Sequence, residues 1–346
     1  MNMVRPSNGF FAYMCVRGRG KLGSVMRAGA LLLISSVTAM GSGAWAQSFP
    51  SAPVRVVIPY PAGAGVDLAL RILAPALSKN LGQSVVIENR PGAGAMIGMD
   101  HVARSQPNGY TIGIADTGPL AINPATSLKL SYDPLKDFAP VTMIATLPTF
   151  LTVHPNLNVN SVAEFIALAK NRPGISYASG GTGTNTHLAM EMLKLQAGIN
   201  LVHVPYRGTA PALAAVVSGD PPVLFGNFLS TKPFMDAGRL RVLAVASGTR
   251  SQAAPQLPTV AEGGVAGFEF TGWFGVIAPA GTPPAIVERL AQAFRETLVE
   301  PEIRQRLLNQ GSMEAVPSTP ASFGEFIRKE IDMYAKLVKQ IGLKPE

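Results

Sequence analysis

The chain has 346 residues, with 29 Lys and Arg against 21 Asp and Glu and a single cysteine. Five of the basic residues and no acidic one lie in the first 46 residues, which leaves 24 basic against 21 acidic residues in the rest. That balance is too weak for a nucleic-acid-binding protein, which needs a concentrated basic stripe. It is compatible with an anionic small-molecule ligand.

The first 46 residues have the pattern of a secretory signal peptide. A basic flank precedes the apolar run Ala28–Met40, and Gly41-Ser-Gly-Ala-Trp-Ala46 follows it. The run is well short of the ~20 residues that a bilayer-spanning helix needs, and cleavage is expected after the A-x-A pattern. We therefore predict a signal peptide over 1–46, removed after Ala46, and an exported mature protein. Cys15 lies in the removed part, so no disulfide or thiolate ligand remains.

Short apolar runs bounded by turn residues recur along the mature chain. Several are continuously apolar, which is typical of strands buried on both faces of a mostly parallel sheet. The predicted strands are Val54–Pro59, Val85–Glu88, Tyr110–Ala115, Phe150–Val153, Ile175–Ala178, Leu201–Val204, Val223–Phe225, Leu240–Ala246 and Phe274–Ala278.

Helical patterns fall between these strands. The predicted helices are Val66–Leu81, one reaching about Ser105, Val162–Lys170, His187–Ala197, Pro283–Leu298 and Phe323 to about Ile341. This alternation predicts α/β lobes, and about 300 residues suffice for two lobes, each with its own core. Extended stretches near Ala145–Val153 and Gly272–Pro279 are predicted to carry the chain to the second lobe and back.

Three glycine-rich loops each follow a strand and precede a helix. They are Pro59-Tyr-Pro-Ala-Gly-Ala-Gly-Val-Asp67, Asn89-Arg-Pro-Gly-Ala-Gly-Ala95 and Ser179-Gly-Gly-Thr-Gly-Thr-Asn-Thr-His187. Such loops let main-chain N–H groups approach a ligand, and a helix N-terminus favours negative charge. Neutral N–H groups and the threonine hydroxyls of the third loop could therefore hold a carboxylate without an arginine. We favour the first and third loops as ligand loops and assign the second mainly to loop packing.

Motifs for other chemistry do not appear in the sequence. It has no Gly-Lys-Ser/Thr P-loop, no correctly spaced dinucleotide fingerprint and no G-x-S-x-G nucleophile elbow. Its four histidines form no H-x-x-x-H pair, so we predict no metal, no cofactor and no catalysis. His187 opens a helix after the third loop, and both a ligand contact and a packing role are open for it. For Asp67 we favour orienting the first loop through N–H bonds over direct ligand contact.

The chain resembles the periplasmic receptors of tripartite tricarboxylate transporters, also called the Bordetella uptake gene receptors, over essentially all of the mature sequence. The matching blocks are Tyr60-Pro-Ala-Gly-Ala-Gly-Val-Asp67, Leu81-Gly-Gln83, Val86-Ile-Glu-Asn-Arg-Pro-Gly-Ala-Gly94, Pro107-Asn-Gly-Tyr-Thr111, Gly181-Thr-Gly-Thr-Asn-Thr-His-Leu188, Val204-Pro-Tyr-Arg-Gly-Thr-Ala-Pro211, Gly272-Trp-Phe-Gly-Val-Ile-Ala-Pro279 and Gly281-Thr-Pro-Pro284. So many ordered blocks make the resemblance specific.

The resemblance implies a type II periplasmic-binding-protein fold, with two α/β lobes joined by two crossing strands and the ligand between them. We place the first lobe at 47–148 and 274–346 and the second lobe at 149–273. The first loop would present N–H groups to a ligand carboxylate, the loop Gly180–His187 would close over the other end, and Thr117 would face the cleft. The expected ligand-binding residues are Tyr60, Ala62, Gly63, Ala64, Asp67, Thr117, Gly181, Thr182, Thr184, Asn185, His187 and Asn227.

The implied function is capture of a small carboxylate, either a di- or tricarboxylate or an aromatic acid, by a monomer that delivers it to the permease subunits of a tripartite transporter. A receptor that reports to a sensor kinase and, less favoured, a periplasmic enzyme that uses Asp67 and His187 stay open.

Two departures from the family pattern matter. Ala64 replaces a glycine in the first loop, and Gly226 stands where an aspartate is usual. The second departure leads us to hypothesise a ligand without an ammonium group.

Overall fold

The computed structural model describes residues 49–127 and 129–344. The predicted signal peptide and its cleavage site lie outside the described residues. The strands are β1 Val54–Ile58, β2 Val85–Asn89, β3 Thr111–Asp116, β4 Phe138–Val153, β5 Ile175–Ser179, β6 Leu201–Pro205, β7 Val223–Asn227, β8 Arg241–Val245, β9 Thr271–Pro279 and β10 Glu314–Ala315.

The α-helices lie between and after these strands. They are α1 Gly65–Leu81, α2 Met96–Ala103, α3 Asn123–Thr126, α4 Val162–Asn171, α5 Asn185–Ala197, α6 Thr209–Ser218, α7 Phe228–Asp236, α8 Pro284–Leu298, α9 Pro301–Gly311 and α10 Pro320–Gln340. Short 3₁₀ turns cover Ala93–Ala95 and Pro155–Leu157, and a π-helical turn covers Gly118–Ile122. In the described chain, no helix has both the length and the apolar character that a membrane span requires.

The strand β4 is shared by two sheets. Up to Pro148 it pairs with β9 in the order β2-β1-β3-β9-β4, where β1 is parallel to β2 and β3. From Thr149 it pairs with β7 and β8, and β5 lies parallel to β6 and β7 beyond them. We call the parts built on these two sheets the first lobe and the second lobe.

The chain returns to the first lobe just before β9. Phe270 N–H donates to Ala246 O, and Thr271 already pairs with Pro148. The strand β9 then runs antiparallel to both β3 and β4, so it lies wholly in the first sheet. The fold is therefore two α/β lobes connected by two crossings, and the residue boundaries given above for the lobes remain a prediction.

Apolar side chains of the helices form the core that holds β9 and β4 in place. The last helix, α10, buries an apolar stripe formed by Phe323, Ile327, Tyr334, Leu337 and Val338. Trp273 of β9 meets Phe323 edge-on, with 5.7 Å between ring centroids. The apolar face of α10 therefore packs against β9.

Gly275 provides a test of this packing. A Cβ at Gly275 would overlap the Phe323 ring and lie 2.7 Å from the carbonyl oxygen of Thr142. We expect Gly275→Ala to lower the free energy of unfolding by about 1–3 kcal/mol, the range for overpacking. In contrast, Gly324→Ala, next to Phe323 on α10, should be neutral or stabilising. Its Cβ would meet Pro140 at the ordinary contact distance of 3.4 Å, and alanine favours the helix. Urea unfolding of both variants checks this, and equal effects would contradict the packing.

Candidate functional site

A cleft of about 530 Å³ lies between the lobes, within the size range of small-molecule sites. Its first-lobe wall includes Tyr60, Asp116 and Trp273, and its second-lobe wall includes Thr184 and Asn227. The full lining is Tyr60, Ala64, Gly65, Val66, Gly94, Asp116, Thr117, Gly118, Ile122, Asn123, Leu147, Pro148, Thr149, Gly183, Thr184, Asn185, Thr186, Thr209, Asn227, Gly272 and Trp273. No lysine or arginine is among these lining residues.

Three helices begin at the cleft wall without a side-chain cap. The N-cap residues are Ala64 for α1, Thr184 for α5 and Gly208 for α6, and none of them caps its helix through a side chain. The first N–H groups of a helix have no partner inside the helix and carry partial positive charge. In the described chain no protein group accepts from the N–H groups of Gly65, Val66, Asn185, Thr186 and Thr209, all of which line the cleft.

The first loop is held by the buried carboxylate of Asp67. Its Oδ2 accepts from Gly63 N–H and from Arg71 Nε, both at 2.8 Å, and its Oδ1 accepts from Asn89 Nδ2 at 3.0 Å. Burial acts to raise the pKa of Asp67, but the hydrogen bonds from Arg71, Gly63 and Asn89 outweigh it and lower the pKa to about 2. Asn89 also donates to Tyr60 O at 3.1 Å. Asp67 therefore orients the loop, the role favoured from the sequence.

The third loop is held in place by the buried side chain of His187. Its Nδ1 accepts from Gly183 N–H at 3.1 Å, so this nitrogen is unprotonated. The imidazole stacks on His203, with 4.0 Å between ring centroids, and His203 Nε2 lies 2.6 Å from Ser179 Oγ. Burial, followed by the nearby His203, lowers the pKa of His187 to about 4. The packing role that the sequence left open for His187 is thus the one its contacts support.

Threonine hydroxyls inside the third loop are largely engaged by the loop itself. Thr184 Oγ1 donates to Gly181 O at 2.7 Å, and Gly180 N–H donates to Thr186 Oγ1 at 2.9 Å. In the first lobe, Thr117 Oγ1 accepts from Trp273 N–H at 3.0 Å and donates to Trp273 O at 3.3 Å. These hydroxyls shape the cleft, while backbone N–H groups remain available to a ligand.

Half of the residues predicted from the sequence line the cleft. Six do so: Tyr60, Ala64, Thr117, Thr184, Asn185 and Asn227. The other six are not among the lining residues: Ala62, Gly63, Asp67, Gly181, Thr182 and His187. Thr182 instead lines a neighbouring cavity of about 300 Å³. Ligand contact by any of these residues remains a prediction.

Several lining residues were not predicted from the sequence. These are Asp116, Gly118, Asn123, Thr149, Thr209 and Trp273. Gly94 of the second loop also reaches the cleft, where its carbonyl accepts from Asn123 Nδ2 at 3.1 Å. Within the described residues, Thr149 Oγ1 and Asn185 Oδ1 are buried and have no partner, so a bound molecule or water would satisfy them. No group of three metal-ligating side chains occurs in this part of the chain.

A family model described as "Tripartite tricarboxylate transporter family receptor" matches residues 69–343. The chain belongs to this family. Protein BugT of Bordetella pertussis is 34% identical over 301 residues, covering 86% of this chain and 92% of BugT. This similarity confirms the resemblance read from the glycine-rich blocks.

Two solved structures of relatives contain a named acid. An R. palustris structure with adipate is 35% identical, with a TM-score of 0.73 over 86% of this chain and 100% of that one. MatC from Rhodopseudomonas palustris, with bound malate, is 29% identical, with a TM-score of 0.68 over 84% of this chain and 100% of MatC. The predicted type II periplasmic-binding-protein fold is confirmed.

The stability of the protein should depend on pH through His187. Its folded pKa of about 4 lies below the ordinary histidine value of 6.5, so between these pH values the unfolded chain binds a proton that the folded protein does not bind. The contribution of His187 to the free energy of unfolding should therefore fall as pH drops from 6.5 to 4, by at most about 3 kcal/mol, while the raised pKa values of Asp116 and Glu330 act in the opposite direction. His187→Asn, whose Oδ1 can accept from Gly183 N–H, lacks this contribution, so urea unfolding should show the variant gaining stability relative to the wild type as pH drops from 6.5 to 4. An unchanged pH slope would contradict this assignment.

Proposed function

We propose that this protein is a periplasmic receptor that captures a small organic carboxylate between its lobes and delivers it to the permease subunits of a tripartite transporter. The observation that carries this proposal is the set of three uncapped helix N-termini, which supply unpaired N–H groups to a cleft whose described lining residues include no lysine or arginine. Helix N-termini bind carboxylates through their N–H groups and their dipole. The adipate and malate in the relatives' structures support an acid of this kind.

Binding would draw the lobes together, since the N–H groups come from both of them. The α1 start belongs to the first lobe, and the α5 and α6 starts belong to the second. A ligand that touches both lobes stabilises the closed arrangement by its differential affinity for it. The permease would then recognise that arrangement, and export through the signal peptide places the receptor where it can meet its ligand.

We infer binding without catalysis. The enzyme alternative needs Asp67 and His187 at the ligand, yet neither side chain lines the cleft. Asp67 accepts from Gly63 and Arg71, and His187 accepts from Gly183. Both groups are therefore committed to holding loops, and a general base has to reach the proton that it removes.

A substitution at the start of α1 tests the role of its N–H groups. Ala64 has the extended backbone of an N-cap residue, with φ −64 and ψ 158, so the carboxylate in Ala64→Asp can accept from the orphan N–H groups. We expect it to stabilise the ligand-free protein by about 1 kcal/mol. It should also abolish carboxylate binding, because the N–H groups are occupied and the added charge repels the ligand.

The measurement is a thermal-shift screen of protein produced from the full-length chain against aliphatic and aromatic acids. Ligand at ~100 times its dissociation constant should stabilise the wild type by roughly 2.7 kcal/mol, a shift of several degrees. Trp273 fluorescence gives a second readout from the cleft wall. As a matched control, Glu300→Asp at the uncapped start of α9, outside the cleft lining, should leave the shift intact. Ala64→Asp protein that binds acids as well as the wild type would contradict the proposal.

A further inference from the structure

Asp116 is the one Asp, Glu, Lys, Arg or His side chain among the cleft's lining residues in the described chain. It ends β3, and the next residues begin the turn Gly118–Ile122 that forms part of the same wall. No role was predicted for this residue from the sequence. An acidic side chain in a cleft built to hold an acid requires a physical explanation.

One oxygen of the Asp116 carboxylate is fixed by the protein. Oδ1 accepts from Tyr60 OH at 3.0 Å and from Gly118 N–H at 2.9 Å. Tyr60 lies in the first loop and Gly118 lies in the turn, so the two donors hold the carboxylate in one orientation. The other oxygen, Oδ2, accepts from no group in the described chain, and it is not among the atoms buried without a partner. It is therefore open to a molecule in the cleft.

The charge of the Asp116 carboxylate determines which end groups of a ligand can lie beside it. Burial raises the pKa of Asp116 to about 6, although the hydrogen bonds from Tyr60 and Gly118 act to lower it. The carboxylate is thus mostly ionised at neutral pH and presents a negative acceptor. Among the described residues, no lysine or arginine lines the cleft to compensate for it. A ligand carboxylate beside Oδ2 would meet an uncompensated like charge in a partly desolvated site, which is costly.

We propose that Asp116 determines specificity by accepting a hydrogen bond at Oδ2 from a donor group of the bound acid, so that the cleft prefers acids carrying a hydroxyl or ammonium group over fully ionised dicarboxylates of the same length. This inference rests on the proposed function and names its substrate class. Discrimination arises both from the bond made to the donor and from repulsion of a second carboxylate. It also revises the hypothesis that the ligand has no ammonium group, which was drawn from Gly226 in place of an aspartate. The second lobe lacks an acidic group at Gly226, but Asp116 of the first lobe supplies one.

Asp116→Asn inverts this chemistry with little change of shape. The amide Oδ1 can keep accepting from Tyr60 OH and Gly118 N–H, which places the NH₂ group where the free carboxylate oxygen stood. An acceptor toward the cleft becomes a donor, and the negative charge disappears. As a matched control, Asp236→Asn makes the same substitution at an exposed aspartate paired with Lys232 on α7, outside the cleft lining.

The experiment is isothermal titration calorimetry of protein produced from the full-length chain and refolded from denaturant to remove any bound ligand. The probes are matched series of four to eight carbons that differ only at one end. The six-carbon series, for example, is adipate, 6-hydroxyhexanoate, 6-aminohexanoate and hexanoate. In the best-fitting length, the wild type and Asp236→Asn should bind the hydroxyl or ammonium member at least about 10-fold more tightly than the dicarboxylate. If the ammonium member binds most tightly, the donor is cationic. If the hydroxyl member binds most tightly, the donor is neutral.

In Asp116→Asn the preference should vanish or reverse toward the dicarboxylate. A wild type that binds the dicarboxylate as tightly as the donor-bearing acids overturns the inference. An end-group ranking that Asp116→Asn leaves unchanged does so as well. Either result leaves the proposed function standing, because acids still bind. If no member of any series binds wild-type protein, the proposed function itself fails.

Discussion

Backbone N–H groups at the starts of α1, α5 and α6 have no acceptor within the described protein, and the cleft is arranged around them. Such groups normally find a capping side chain or water. Here the N-cap residues are Ala64, Thr184 and Gly208. Ala64 and Gly208 have no polar side chain, and the Thr184 hydroxyl donates to Gly181 O instead. The protein thus leaves donors unpaired at a surface where a ligand can satisfy them.

Keeping these helix starts in place requires rigid supports beneath the loops. Asp67 fixes the first loop and His187 fixes the third, and each is buried and bonded to a main-chain N–H group of its loop. Glu191 continues the support below the third loop, where it accepts from Tyr177 OH at 2.5 Å and from Lys194 Nζ at 2.7 Å. Buried polar groups of this kind are stable only when they are hydrogen-bonded, which explains why ligand-site loops rest on ionisable residues that do not face the ligand.

Local patterns in the sequence predicted most of the framework. All nine predicted strands are present, because short apolar runs bounded by turn residues carry a strong signal. The first half of β4 was missed, since Pro140 and Pro148 interrupt its pattern, and α7 was missed because it contains Pro233. The helix α6 lacks a polar face with a clear period, and the two-residue β10 exists only through its pairing with β4.

The cleft was only half predictable because its wall depends on contacts between distant residues. The glycine loops marked the region, but Asp116 faces the cleft through a bond to Tyr60, 56 positions earlier in the chain. Trp273 reaches it because β9 pairs with β3 and β4 together. Conversely, Asp67 and His187 stand out in the sequence because they adjoin the loops, but their side chains hold the loops and do not line the cleft. A position beside a glycine loop does not reveal which way its side chain points.

The most direct measurement is a crystal structure of the protein with the acid that it binds most tightly. We predict a carboxylate oxygen within about 3 Å of an unpaired N–H group at the start of α1, α5 or α6, with the molecule in contact with both lobes. No lysine or arginine should contact that carboxylate. An acid bound outside the cleft, or a carboxylate held by a basic side chain while the helix starts face only water, would contradict the account.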